Sequence, residues 1–345
     1  MEVVSLNEDC VRRLISVPVA ILILSCALWG GDLRRIAMVD LPGEPGFEAM
    51  AVANGNLVIA HPATNSVDIF NMPRRKLIAQ IKNIPGASGV AVDPGSRRVY
   101  VSSKTTAKIF VVSTADWSVE NTITTEAPVD HMLFSPDAGK LFLNSEVPQI
   151  ITAIDPANPD SRQSVNVEGL PLGMAFDPQQ KLLFVALQDQ AQVLGIDEGM
   201  QITRRYPVSG SQPAGLALDA VEGHLYVAVR SAVIQLDSGS GAETARVAAA
   251  PGVDRLWFDQ NSRTLYSGAG NLVQVMRVAG KRFVDTSDNT IELRGQGLVF
   301  DPSTNLVYVP GGREGKSKLL ILKQVSPRTQ AVAEENRGAS QVAAR

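Results

Sequence analysis

Two tripeptides, Val129-Asp130-His131 and Val253-Asp254-Arg255, set a carboxylate directly before a side chain that can carry a proton or a positive charge. Glu48 supplies a third carboxylate. Oxygen donors such as Glu48, Asp130 and Asp254 are what a hard divalent cation prefers. Without a metal, His131 as acid–base and Arg255 as the holder of a carboxylate or oxyanion would suit hydrolysis of a small lactone. With no reaction at all, the same charges make a polar pocket, which His61, Lys104, Glu146, Arg230 and Arg313 are placed to surround. A structural role is the alternative: aspartate and arginine pair with each other, fill a wet channel and tie neighbouring units together.

What positions these residues is a repeat. The stretch Val90-Ala-Val-Asp93-Pro-Gly-Ser-Arg-Arg-Val99-Tyr-Val101 reads as two short β-runs joined by a tight turn, and the chain writes variants of it seven times. Taking the turn-opening position as anchor gives Ala53, Asp93, Ser135, Asp177, Asp219, Asp259 and Asp301, at intervals of 40 or 42 residues. Six residues past each of the last six anchors is an aliphatic residue, and an aromatic follows it: Tyr100, Phe142, Phe184, Tyr226, Tyr266 and Tyr308. A third apolar run and a more polar fourth complete each unit, as in Ile109–Val112 and Val119–Thr124. Short β-branched and aromatic runs punctuated by Pro, Gly, Asn and Asp are antiparallel strands. Four per unit, repeated at this period, predict a seven-bladed β-propeller of four-stranded antiparallel blades, an all-β fold. The aromatic column is expected to pack between blades, and Trp257 to fill space between blades 6 and 7.

In that frame the chemistry-bearing residues break their own columns. Four before the anchor the repeat places Ala49, Gly89, His131, Gly173, Gly215, Arg255 and Gly297; one earlier it places Glu48, Ser88, Asp130, Leu172, Ala214, Asp254 and Gln296. Small residues suit a position where seven inner strands crowd one axis. Blades 3 and 6 depart from that rule on nearly opposite sides of the ring, and such local breaks are expected at functional sites. The mouth of the central channel is therefore the candidate site.

The ends lie outside the repeat. Arg12-Arg13 precedes a short apolar run over residues 14–29, which suits a secretion signal better than a membrane span. Ile23-Leu-Ser-Cys26 resembles a bacterial lipobox, so residues 1–30 are read as a signal peptide or a membrane or lipid anchor, the last through Cys26. The only cysteines, Cys10 and Cys26, lie in this leader, leaving residues 33–325 without disulfides or thiolate metal ligands. Residues 326–345 lack period-2 patterning and are expected to be a mobile tail. Unit 7 lacks a fourth run, while Arg35–Asp40 alternates ahead of unit 1; that strand is predicted to complete blade 7 and close the ring.

The units resemble the YVTN-type repeat of bacterial and archaeal exported propellers, through Val99-Tyr-Val-Ser-Ser103, Leu225-Tyr-Val-Ala-Val229, Val307-Tyr-Val-Pro310 and the Gly-x-Ala-x-Asp-Pro runs at Gly89–Pro94 and Gly173–Pro178. The resemblance covers about residues 33–325 and implies the fold. Its wider set holds exported binding proteins, surface-layer proteins and lactonase-type enzymes. Glu48 is reminiscent of metal-dependent gluconolactonase-like propellers, but the asparagine ligands of that pattern have no counterpart here and seven blades replace six.

The expected role is binding of a small ligand or partner protein at the channel mouth, without catalysis and without a cofactor or metal. A lactonase-type hydrolase and a cell-envelope scaffold are the alternatives. With a net charge of −3 and no basic stripe, no nucleic acid is expected as partner. A partly basic mouth would favour an anionic small molecule or peptide. A monomer is expected, touching a membrane only through its N-terminal segment and exported to the periplasm or beyond. Other motifs fail on context. Gly315-Lys316-Ser317 mimics the end of a P-loop but leads into a strand, and is read as a long hairpin turn. Asp237–Gly241 lacks the alternating ligands of a calcium loop. No Gly-x-Ser-x-Gly elbow occurs. His224 reads as a surface-turn histidine.

Overall fold

A computed structural model describes residues 32–325 apart from Ser96 and Gln296. The leader over residues 1–30 with Cys26, and the expected tail over 326–345, lie outside the described residues.

Blades 1 to 5 are separate four-stranded antiparallel sheets whose strands follow in sequence order. Blade 1 comprises Met50–Ala53, Asn56–His61, Ser66–Asn71 and Lys76–Lys82, and blades 2 to 5 occupy residues 87–124, 131–166, 171–207 and 216–248. The anchor column has a local cause. Each anchor aspartate accepts the amide of a residue two or three further on: Asp93 from Gly95 at 2.9 Å, Asp177 from Gln179 at 2.9 Å, Asp219 from Glu222 at 3.2 Å, Asp259 from Ser262 at 3.0 Å and Asp301 from Ser303 at 3.0 Å. These Asx turns reverse the chain between the first and second strands of a blade.

The core lies between blades, in hydrophobic clusters that each join one blade to the next. The aromatic column packs there, as expected from its regularity. Phe142 stacks on Phe176 at 5.5 Å, Tyr226 lies 5.1 Å from Phe258 and Tyr266 stacks on Phe300 at 4.6 Å. In each pair the partner is the residue just before the next blade's anchor. Trp257, half-buried, packs against the clusters on both sides of blade 7.

Blade 7 is built from Val299–Asp301, Leu306–Arg313 and Lys316–Val325, and Asp32–Asp40 pairs antiparallel with the last of these as its fourth strand. The first and last of the described strands thus share one sheet. Leu57, Ile59 and Phe70 of blade 1 pack on Tyr308, Leu319 and Ile321 of blade 7.

Two features differ from the expected pattern. The turn at Gly315-Lys316-Ser317 is tight rather than long: Arg313 pairs with Lys316, and Glu314 and Gly315 take φ of 52° and 74°, both in the left-handed region that two-residue hairpins use. Blades 6 and 7 also form one continuous sheet. In blade 6, Thr264–Val278 folds back on itself, since Val278 N–H donates to Arg263 O at 2.9 Å, and so supplies both middle strands. Its outer strand, Phe283–Gly295, runs on until Arg294 and Gly295 pair with Gly312 and Gly311 of blade 7. Gly311 makes this possible: a Cβ there would stand 2.2 Å from the Arg294 carbonyl oxygen.

Candidate functional site

Three stacked tiers of inner-strand residues line the central channel, around a cavity of about 430 Å³. The upper tier carries Glu48 and Asp254; the tier below carries Ala49, His131, Gly173, Gly215 and Arg255. Gly173 has to be glycine. Its N–H donates to Ala214 O of the next blade at 2.9 Å, and a Cβ would come within 2.3 Å of that oxygen. Small residues therefore let seven strands approach and leave the axis open, while His131 and Arg255 project where the others have nothing.

The third tier escaped the sequence analysis. Three before each anchor stand Met50, Val90, Met132, Met174, Leu216, Leu256 and Leu298, one per blade, and all line the same cavity. Each also packs in a cluster between blades, and Val90, Leu216 and Leu298 are buried. The column thus forms an apolar collar beneath a charged rim, and the collar's partly exposed members are Met50, Met132, Met174 and Leu256.

Charges at the rim are unevenly paired. Lys104 Nζ reaches Glu48 Oε1 at 2.6 Å, and Arg255 Nη2 stands 3.8 Å from Glu48 Oε2, so both cations share one acid. Asp130, Glu146 and Asp254 make no ion pair among the described residues. Asp130 instead accepts the Glu146 amide at 2.9 Å, its own carbonyl accepting Ser88 Oγ–H at 2.6 Å. Crowding by protein raises the carboxyl of Asp254 above its ordinary value, against the pull of Arg255. Desolvation likewise raises Asp130 and, with Asp130 as neighbour, Glu146. Opposite them, His131 is pushed down to about 3 by desolvation and by the Arg255 and Lys104 charges. It is neutral at physiological pH, so it has no proton to give as a general acid and is too weak a base to take one efficiently.

Of the predicted site residues, Glu48, His131, Asp254 and Arg255 meet in the cavity, and Asp130 couples to them through Glu48 and Lys104. Three do not. His61 is fully buried: Nδ1 contacts Asp68 Oδ2 at 2.7 Å, Nε2 contacts Glu44 O at 2.8 Å, and its ring lies 4.2 Å from that of Phe47. It is a core residue, because the hairpin that pairs it with Ser66 turns it into blade 1 beside an acid. Arg230 is exposed and lines none of these cavities. Arg313 pairs with Glu292 at 2.5 Å in a separate cavity of about 1000 Å³ between blades 6 and 7. Among the charged side chains that line the mouth cavities, the carboxylates of Glu48 and Asp254 stand against the single guanidinium of Arg255.

Among the described residues only Asp219, Glu222 and His224 bring three potential metal-ligand atoms within 4.8 Å of one another; the rim acids do not. That group lies by the first turn of blade 5, and Arg263 already bridges it, Nη1 to Asp219 Oδ2 at 2.5 Å and Nη2 to Glu222 Oε2 at 3.0 Å. A guanidinium stands where a metal ion would. His224, expected on a surface turn, is buried in this group.

No protein-family model matches this chain, and no curated protein does. Among solved structures, 86% of this chain superposes on 93% of a chain in the crystal structure of the mitotic checkpoint complex, with a TM-score of 0.72 and 12% identity. That likeness concerns architecture alone, and with the blade topology it establishes a β-propeller.

Proposed function

We propose that this is an exported propeller of the YVTN type that holds a positively charged ligand at its channel mouth without catalysis. The observation that carries the reading is geometric: Asp254 lines both cavities at the mouth with no ion-pair partner among the described residues, while Lys104 and Arg255 share Glu48. A ligand cation would supply the missing charge. The hydrolase alternative asks His131 to move protons, and a group titrating near 3 is poorly matched to that task. The metal-dependent alternative asks Glu48, Asp130 and Asp254 to share one ion, and their oxygens do not converge.

Melting the full chain at pH 7 with matched panels tests this: methylammonium, butylammonium and phenethylammonium against acetate, butyrate and phenylacetate. A ligand at about 100 times its Kd stabilises by roughly 2.7 kcal/mol, or about 5 °C for a protein of this size. The ammonium ions are expected to give that shift, Asp254→Asn to lose it, and γ-butyrolactone to be hydrolysed no faster than in buffer. Stabilisation by the carboxylates, lost in Arg255→Gln, or lactone turnover, would overturn the reading.

Export rests on the basic flank and short apolar run of residues 12–29. Fractionation of a bacterium producing residues 1–345 is expected to place the propeller outside the cytoplasm. Recovery of the uncleaved chain as a soluble cytoplasmic protein would refute export.

A further inference from the structure

From the stacking of charged rim over apolar collar we infer that the ligand is an amphipathic organic monocation, a primary ammonium on a hydrocarbon body, with its head at Asp254 and its body in the collar. This rests on the proposed reading of the mouth as a binding site and adds the chemical class of what binds.

Charge comes first. Asp254 opens on the channel cavity and on an adjoining one of about 340 Å³, with no ion-pair partner among the described residues. Lys104 and Arg255 already share Glu48, so the uncompensated charge is negative. A primary ammonium fits a carboxylate as a compact donor of three N–H groups. Shape comes second. Rim and collar line one cavity: Glu48 and Asp254 share it with Met50, Met132, Met174 and Leu256. The collar's methionines and leucines offer no hydrogen bond to a polar body, and methionine adapts to irregular apolar shapes. Trp257 lines the same cavity and adds an aromatic surface to it. Size comes third. About 430 Å³ lies within the range of small-molecule sites. A folded partner would meet the rim and leave the collar empty, so the collar favours a small molecule over a protein.

The test is calorimetric titration of the full chain with n-alkylammonium chlorides from ethyl to octyl, alongside the sodium alkanoates of matching length. Affinity for the ammonium series is expected to rise roughly fourfold per methylene until the chain fills the collar, then level off. Alkanoates are expected not to bind. Asp254→Asn should weaken every ammonium by a common factor while keeping the gradient with length. Met132→Thr with Met174→Thr should flatten the gradient, weakening octylammonium far more than ethylammonium. The wild-type gradient is itself a readout, so the inference stays testable if a variant folds poorly. An affinity independent of chain length yet lost in Asp254→Asn would overturn the inference and leave the rim reading standing. So would binding of tetralysine peptide with no binding of any alkylammonium. Preference for alkanoates, or no probe binding in an Asp254-dependent way, would overturn both.

Discussion

Removal of residues 1–40 is expected to lower the melting temperature by more than about 10 °C relative to a chain beginning at Asp32, and to leave the remainder prone to self-association. Asp32–Asp40 is the fourth strand of blade 7, paired along its length with Lys318–Val325. Its two faces do different work. Ile36, Ala37 and Val39 pack into the cluster shared with blade 1, while Leu33 and Met38 pack into the one shared with blade 6. Arg35 adds an ion pair to Glu292 at 2.7 Å, and Leu33 N–H donates to Asn289 Oδ1 at 2.7 Å, tying the strand to blade 6. Deletion removes a ladder of hydrogen bonds worth about 1 kcal/mol each and uncovers an apolar strand edge, which invites pairing with other chains. A synthetic peptide of residues 31–41 added in trans is expected to suppress the self-association and restore much of the lost stability. Differential scanning calorimetry with light scattering reads both effects. A truncated chain that stays monomeric and melts within two or three degrees of the longer one would show that blade 7 does not depend on this strand.

The second large effect is on the acid side of the stability curve. His131 titrates near 3 in the folded chain against an ordinary value of 6.5. Between those limits the unfolded chain takes up a proton that the folded chain refuses. The stability His131 allows is therefore complete above pH 6.5 and is lost as pH falls toward 3. By pH 5 the loss is about 2 kcal/mol, or roughly 4 °C in melting temperature. The raised carboxyls of Asp130, Glu146 and Asp254 act in the opposite sense: their cost is present above their folded pKa and is relieved as pH falls through it. Comparing His131→Gln with the parent chain isolates the histidine, because those acids remain in both. The variant is expected to hold its stability between pH 6.5 and 5 while the parent loses it. Parallel profiles would mean that the imidazole titrates normally and stands open to water.

Much of this architecture was legible because its causes are local. An anchor aspartate caps its own turn within three residues, so it recurs visibly in sequence. The aromatic column is uniform because every blade packs on the next in the same way. The fusion of blades 6 and 7 was not legible: it depends on the bare backbone of Gly311 facing Arg294, residues with no sequence relation until the strands are in register. At the site, Asp130, His131, Asp254 and Arg255 stood out because they replace small or neutral residues in otherwise regular columns. His61 misled, since only the hairpin register brings Asp68 against its ring. The collar stayed hidden for the opposite reason: leucine and methionine conform to the strand pattern, and only the cavity shows that this face lines a channel.

The account's central claim is that the rim acids are a prepared binding site and not ties between blades. One melt tests this without any ligand: Asp130→Asn with Asp254→Asn against the parent chain at pH 7 and low salt. Asparagine can still accept the Glu146 amide, so the change removes charge and little else. Acids held above their ordinary pKa destabilise the fold when ionised. The double variant is therefore predicted to melt at or above the parent temperature. A fall of several degrees would show that Asp130 and Asp254 hold the ring together, and would contradict the binding site proposed at its mouth.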